Sequence, residues 1–297
     1  MPDAFRGLAW VNDKLHGDVN LVKATADVSS VSVAANVASS VFCVASLVVG
    51  LYYMDQIDSK LGAISDQLSK ISDFQNNEYK SKIIALARNV KRIAYFQAEI
   101  LENAEVRDKE LIGLQNLEHD CVQLLEQANQ NIIKITQKHK ISYDEYEKQV
   151  TSSFEWRQYQ QALVEILYRF GELKYTLNLG SASKDYCFSS YNQCSGSVEN
   201  ISIELGEWHK NQAANLAIDL QARRRKRQGF QDALFKLPGM INDDLNYLPL
   251  NERIVELIHN QTSESIMGYE TNGDPNLFGN DVQLIVKDGR LFYLPSL

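Results

Sequence analysis

Glu256 and His259, three residues apart in a segment read as helical, have the spacing of half a di-iron carboxylate motif, in which a carboxylate and an imidazole on one helix face share a metal ion. A bundle using that motif needs a second such pair and further glutamates on facing helices, and the chain offers no second pair. His16, His119, His139 and His209 stand isolated, so a surface or capping role is expected for each. Cys43, Cys121, Cys187 and Cys194 are too few and too scattered for a disulfide framework or a zinc site of recognised spacing. Cys187 and Cys194 flank a short polar segment in an expected loop at 179–197, where a bridge in an oxidising compartment and two reduced thiols both stay open. The sequence has no phosphate-cradling glycine loop, no HExxH pair and no GxSxG elbow. Catalysis is therefore disfavoured, and no catalytic residue, metal or cofactor is assigned. The sequons at Asn200 and Asn260 matter only in a secretory pathway.

The net charge of -8 and a pI near 5.2 disfavour nucleic acid as the main partner, because phosphate binding needs a basic footprint. One run departs from this balance: Arg223, Arg224, Arg225, Lys226 and Arg227 are consecutive cations within an expected helix. A solvated helix face, an anionic lipid contact, a nucleic-acid patch and a dibasic processing site are all consistent with it.

The elements that would carry these residues follow from proline. The five prolines are Pro2, Pro238, Pro249, Pro275 and Pro295, whereas average usage would place about a dozen between residues 3 and 237. Proline lacks a donor N–H and clashes with the preceding helical turn, so the empty interval reads as long helices. With 44% hydrophobic and 23% charged residues and a mean hydropathy of -0.29, water is expected over most of the surface.

A first helix is expected over 5–15, with Phe5, Leu8, Ala9 and Trp10 on its apolar side and Gly17 as its stop. After a polar bend near 72–78, Ile83, Leu86, Val90, Ile93 and Ile100 mark a helical stripe. A softer region at 103–109 precedes a second stripe of Leu114, Leu117, Cys121, Leu124, Ala128, Ile132 and Ile135. Ser142 followed by Glu145 has capping-box spacing and predicts a helix over 143–177, with Tyr146, Val150, Phe154, Leu163, Ile166, Leu167, Phe170, Leu173 and Leu177 inward and Trp156 and Tyr159 at its margin. A last long helix is expected over 198–237, carrying Ile201, Leu205, Trp208, Leu216 and Leu220. Beyond it, a short helix is expected at 250–259, and a β-hairpin around Asp288-Gly289 joins 282–286 to 291–294. The fold class expected is all-α, an elongated bundle of long antiparallel helices with coiled-coil character plus a small C-terminal module containing a β-hairpin. Its expected divisions are an amphipathic lead at 1–26, an uncharged helix running into a coiled coil at 27–77, a long-helix bundle at 78–237 and a C-terminal module at 238–297.

Between Asp27 and Asp55 no residue is charged, and the stretch runs into heptad-spaced Met54, Ile57, Leu61, Ile64, Leu68 and Ile71. A single helix over 29–74 would be about 70 Å long. Wound at about 100° per residue, the uncharged part has two faces. Val31, Val37, Val41, Phe42, Val44, Val48 and Val49, with Ala34, Ala38 and Ala45, form one; Ser32, Asn36, Ser39, Ser40, Cys43, Ser46 and Gly50 form the other. In lipid, helices meet through small residues and hydroxyl or amide hydrogen bonds, so the second face is expected against neighbouring helices and the first against lipid. Residues 31–49 are long and apolar enough to count as a membrane-span candidate, for which about 20 residues are needed. The flanking charges give little orientation signal, and the chain is read as opening without a cleavable secretory signal.

In architecture, the proline-free run of long helices, the single uncharged segment joined to a coiled coil and the lack of enzyme motifs resemble the bacterial α-helical pore-forming toxins of the cytolysin A and haemolytic enterotoxin type. The resemblance implies a soluble bundle that hides an apolar element, rearranges on a membrane and assembles so that helices line a pore. It implies that Val41, Val44 and Val48 face lipid while Asn36, Ser39, Ser40 and Cys43 face helices or water. The chain departs in placing the apolar segment near its N-terminus, and residues 238–297 lie outside the resemblance. The expectation is a non-enzymatic, membrane-inserting oligomer, membrane-associated in at least one state, with a soluble precursor or non-classical secretion compatible with it. Its partners would be a lipid membrane and further copies of the chain or a second helical subunit. The alternatives are a permanently anchored helical scaffold or sensor, and a soluble coiled-coil component of a larger particle.

Overall fold

The computed structural model describes residues 4–11, 14–22, 68, 77–178, 181–227, 246–263, 283–287 and 290–294. In chain order these form strands β1 (Ala4–Val11) and β2 (Lys14–Val22), then helices α1 (Asn77–Tyr95), α2 (Gln97–Glu102), α3 (Ala104–Thr136), α4 (Tyr143–Leu177), α5 (Lys184–Cys187) and α6 (Ser189–Asn215). Short strands β3 (Ile218–Asp219), β4 (Arg224–Lys226) and β5 (Tyr247–Pro249) follow, then α7 (Glu252–Ser263) and the hairpin of β6 (Gln283–Lys287) and β7 (Arg290–Leu294). The protein is an all-α bundle of long helices packed on one another with minor antiparallel β-structure, including a small three-stranded sheet.

Two compact units divide the chain. The first comprises Met1–Cys121, Glu165–Tyr191 and Tyr269–Leu297; the second comprises Val122–Val164 and Asn192–Gly268. Three of the four divisions fall inside helices, in α3, α4 and α6; the fourth, after Gly268, lies outside the described residues.

In the first unit, α1 buries Tyr79, Ile83, Leu86, Ala87, Val90, Ile93 and Ala94, the stripe its helical spacing predicts. The softer region narrows to Asn103, whose Oδ1 accepts from the Glu105 and Val106 amides at 3.1 and 3.3 Å and so caps α3. The inward face of α3 runs through Leu114, Glu118 and Cys121, with Leu117 only half-buried. Glu118 occupies an apolar position because Lys174 of α4 neutralises it, a pairing invisible to hydrophobic periodicity. As α4 returns past α6, Tyr168 packs against Phe188 and Tyr191 with ring centroids 5.2 Å apart in each case.

Gly171 makes that approach fit. A Cβ there would lie 2.5 Å from Phe188 Cδ1, whereas one at Gly113 of α3 would meet nothing within 4 Å. Alanine favours a helix by about 1 kcal/mol over glycine, but forcing an aromatic ring out of a packed site costs about 1–3 kcal/mol. Opposite outcomes are therefore expected in thermal denaturation: a lower Tm for Gly171→Ala and an unchanged or higher Tm for Gly113→Ala.

In the second unit, Ser142 opens α4 by accepting from the Glu145 amide at 3.3 Å. The reciprocal half of the capping box is absent; the Glu145 carboxylate instead accepts from Lys138 Nζ at 3.2 Å and Gln149 Nε2 at 2.7 Å. Its pKa lies below the usual range, mainly because of the Lys138 hydrogen bond. Gln160 Nε2 donates to Asn129 Oδ1 at 2.7 Å, so α4 runs antiparallel to α3. Arg157 reaches Ser202, and Tyr146 reaches His209, so α6 runs antiparallel to α4. The Lys138 carbonyl beyond the C-terminus of α3 accepts from Trp208 Nε1 at 2.8 Å and Gln212 Nε2 at 2.9 Å. Those bonds satisfy the carbonyl of the connection that leaves α3. Trp156 and Tyr159 lie in the core rather than at the margin, and every residue from Ala162 to Phe170 is buried. A helix enclosed on all sides has no single apolar stripe.

Three expected elements take other forms. The helix over 5–15 is replaced by the β1–β2 hairpin, in which Ala4 faces Val22 and Val11 faces Lys14 across Asn12-Asp13, with a register irregularity between Ala9 and Trp10. Asn12 and Asp13 are residue types that favour turns, a signal the helical spacing of Phe5, Leu8 and Ala9 obscures. The loop expected at 179–197 is mostly helix: Ser183 caps α5 by accepting from the Tyr186 amide at 3.2 Å, and α6 starts at Ser189. Conversely, the helix expected to reach 237 stops at Asn215, beyond which Ala217 takes φ 50° and the chain turns into β3. At the tail, α7 follows Asn251, whose Oδ1 accepts from the Arg253 amide at 3.0 Å. In the β6–β7 hairpin Lys287 faces Arg290, as a two-residue connection at Asp288-Gly289 requires.

Candidate functional site

Four side chains of the second unit form a buried polar chain across α4, α6 and α7. Tyr146 Oη donates to His209 Nδ1 at 3.0 Å, and His209 Nε2 donates to Gln261 Oε1 at 3.3 Å. These partners assign the Nε2–H tautomer, since a neutral ring accepts at one nitrogen and donates at the other. Ser153 Oγ donates to the same Gln261 oxygen at 2.6 Å, and Gln261 Nε2 donates to the Val150 carbonyl at 3.0 Å. None of the four residues is more than 4% exposed. Trp208 covers the chain, its ring centroid 5.5 Å from Tyr146 and 5.0 Å from His209.

Serine, histidine and tyrosine invite a nucleophilic reading, but the geometry does something else. Ser153 bonds Gln261 rather than the imidazole, and both ring nitrogens are engaged, which leaves no base for an incoming reactant. The arrangement holds α7 to α4 and α6 through Gln261. Burial, opposed only by the Gln261 hydrogen bond, pushes His209 down to about 4, so the ring is neutral at pH 7. Burial raises the Tyr146 hydroxyl far above the usual phenol range. The surface or capping role expected for His209 is thus overturned, whereas His119 and His139 are exposed. Its neighbour Trp208 and the return of an apolar residue at Leu205 were the available signals, and they do not distinguish a buried histidine from one at the stripe's edge.

The first unit buries charges instead. Lys174 Nζ lies 2.9 and 3.1 Å from the two Glu118 oxygens. Arg169 donates through Nε and Nη2 to Glu165 Oε1 at 2.9 and 2.6 Å and through Nη1 to Glu172 Oε2 at 2.5 Å, with its guanidinium 4.9 Å from the Tyr168 ring centroid. Cys187 lies in this unit, and burial, the largest influence, raises its thiol to about 11, against the pull of Lys174. Such a thiol is protonated and unreactive at pH 7. Cys187 and Cys194 are not bridged to each other.

The five cations do not lie in a helix. Arg223 ends the β3–β4 turn with φ 49°, and Arg224, Arg225 and Lys226 form β4, the central strand between β3 and β5. Successive side chains of a strand face opposite sides. Arg225 stacks on Tyr143 of α4 at 4.1 Å, while Arg224, on the face shared with Lys226, stacks on Tyr247 of β5 at 4.0 Å. Burial, with help from the Glu147 hydrogen bond, raises the Tyr143 hydroxyl to about 12.

Glu256 and His259 are exposed on α7, and among the described residues no group of His, Cys, Asp and Glu could hold a metal. The lipid-facing candidates Val31, Val37, Val41, Phe42, Val44, Val48 and Val49 lie outside the described residues. So do the opposite-face residues Asn36, Ser39, Ser40, Cys43, Ser46 and Gly50, and the seam residues Met54, Ile57, Leu61, Ile64 and Ile71. Leu68, the remaining seam position, is helical and buried. Among the described residues no helix is long and apolar enough to cross a membrane. No protein-family model matches the chain, no curated protein matches it in sequence, and no solved structure matches it in fold.

Proposed function

We propose that the protein is a non-enzymatic helical-bundle protein that inserts into a membrane and self-associates there, in the manner of a pore-forming toxin or effector. The observation that carries this reading is the charge-free sequence between Asp27 and Asp55. No described helix offers an alternative span, so insertion falls to that segment. Support comes also from what the described polar groups do: the His209 chain and the Lys174–Glu118 pair are engaged in holding helices together.

Dye release from liposomes by detergent-free protein tests the reading, with sedimentation of the same mixtures to measure binding. Leakage accompanied by binding is expected. Val44→Asp combined with Val48→Asp is expected to abolish leakage while leaving a soluble, helical protein, because each charge near a bilayer centre costs about 2.5–3.5 kcal/mol. Unchanged leakage by that variant would sink the reading. A second reading, a coiled-coil component of a larger assembly, rests on the heptad spacing of Met54, Ile57, Leu61, Ile64, Leu68 and Ile71 and predicts neither binding nor leakage.

A further inference from the structure

We propose that the β3–β4 hairpin of the second unit is a docking site for anionic lipid headgroups, an inference that rests on the membrane reading above and names the surface making first contact. The hairpin turns at residues 220–223, where the Asp219 carboxylate accepts from the Ala222 amide at 3.0 Å and fixes the turn. At that turn the large apolar side chain of Leu220 is 36% exposed. Arg223 closes the turn beside it, and Lys226 lies on the outward face of β4; both are exposed. An apolar tip with a cationic collar matches the lipid interface, where hydrocarbon lies just beneath a layer of phosphate.

The sheet presents these groups already ordered. The Lys226 amide donates to the Ala217 carbonyl at 3.0 Å, the Arg227 amide to Asn246 at 2.8 Å and the Leu250 amide to Arg223 at 2.9 Å, tying the cationic strand on both sides. Arg224 stacked on Tyr247 and Arg225 stacked on Tyr143 further anchor β4, the strand that Arg223 precedes and Lys226 ends. The charge runs against a protein of net charge -8, which concentrates attraction for an anionic surface at this one place. The nearest competitor is the Arg223–Glu252 pair at 3.6 Å. Its partners' side chains are 65% and 83% exposed, and it is weak beside a phosphate layer. A headgroup layer is favoured over nucleic acid because Leu220 has no use on a polyanion in water, whereas at a bilayer it gains burial.

The test is sedimentation of the full chain with phosphatidylcholine vesicles, with and without phosphatidylserine. Binding is expected only with phosphatidylserine and is expected to weaken with salt. Removing one interfacial cation should weaken it about fivefold, so Arg223→Gln with Lys226→Gln should weaken it about 25-fold. Leu220→Ser should weaken it at every salt concentration. All three positions are exposed, and unchanged far-UV circular dichroism would verify the fold. Undiminished binding by the Arg223→Gln, Lys226→Gln protein would overturn the inference, as would equal binding to both vesicle types or retention by a duplex oligonucleotide in place of vesicles. Leakage unaffected by these variants would leave the pore reading standing without this docking site. Phosphatidylserine-dependent binding without leakage would leave the docking site standing without the pore.

Discussion

Lys174→Met is expected to lower the stability of the folded chain by about 3–5 kcal/mol, the cost of leaving the Glu118 carboxylate buried without its partner. Both side chains are enclosed, at 8% and 10% relative exposure, so water cannot take over the solvation the ammonium provides. Typical folded domains are stable by only about 5–15 kcal/mol, so the loss would show in urea denaturation as a large fall in the midpoint. The double variant Glu118→Leu, Lys174→Met should recover most of it, because paired charges in an interior are often no more stabilising than well-packed apolar groups. If the single and double variants lose stability equally, the ion pair is not the cause.

Acid is expected to weaken the second unit through His209, over a definite range of pH. In the folded chain the ring resists protonation until about pH 4, whereas an unfolded histidine takes up its proton near 6.5. The stability this ring confers is therefore complete above 6.5 and lost progressively as the pH falls from 6.5 to 4. At about 1.4 kcal/mol for each tenfold difference in proton affinity, the shift of about two and a half units is worth roughly 3–4 kcal/mol. Protonation also places a second N–H against the Tyr146 hydroxyl, which must then turn from donor to acceptor. Urea denaturation between pH 7 and pH 4 should show this slope, and His209→Gln should flatten it. A wild-type slope retained in His209→Gln would assign the acid sensitivity to carboxylates. Amide exchange in α7 should accelerate with the loss, since Gln261 is the α7 side chain in the network.

Much of the bundle could be read from spacing because its helices obey one-dimensional rules. Ile83, Leu86, Val90 and Ile93 recur at helical intervals and are all buried, and Ser142 with Glu145 marks the start of α4 to the residue. Asp288-Gly289 specifies a hairpin through two residues, and Lys287 and Arg290 face one another as it demands. What escaped the sequence depends on residues far apart in the chain. Glu118 belongs to the core only because Lys174 lies opposite, and His209 only because Gln261, 52 positions later, completes its hydrogen bonding. The cationic run misled for a related reason: arginine and lysine are good helix formers, and what places them in a strand is pairing with β5, more than twenty residues away. The β1–β2 hairpin escapes the spacing because Phe5, Leu8 and Ala9 recur at helical intervals, whereas the pairing of Val11 with Lys14 depends on chain reversal.

The division of the chain inside α3, α4 and α6 bears on how the protein can be taken apart. The first unit is assembled from three separate stretches of chain and the second from two. No single truncation removes one and leaves the other whole, and neither can be exchanged between genes as a contiguous cassette. An expression fragment ending near residue 121 or beginning near 165 would sever a helix and strand part of each core, so deletions cut at those points would report loss of folding. Separating the functions of the two units calls for point substitutions such as those at Lys174, His209 and Lys226.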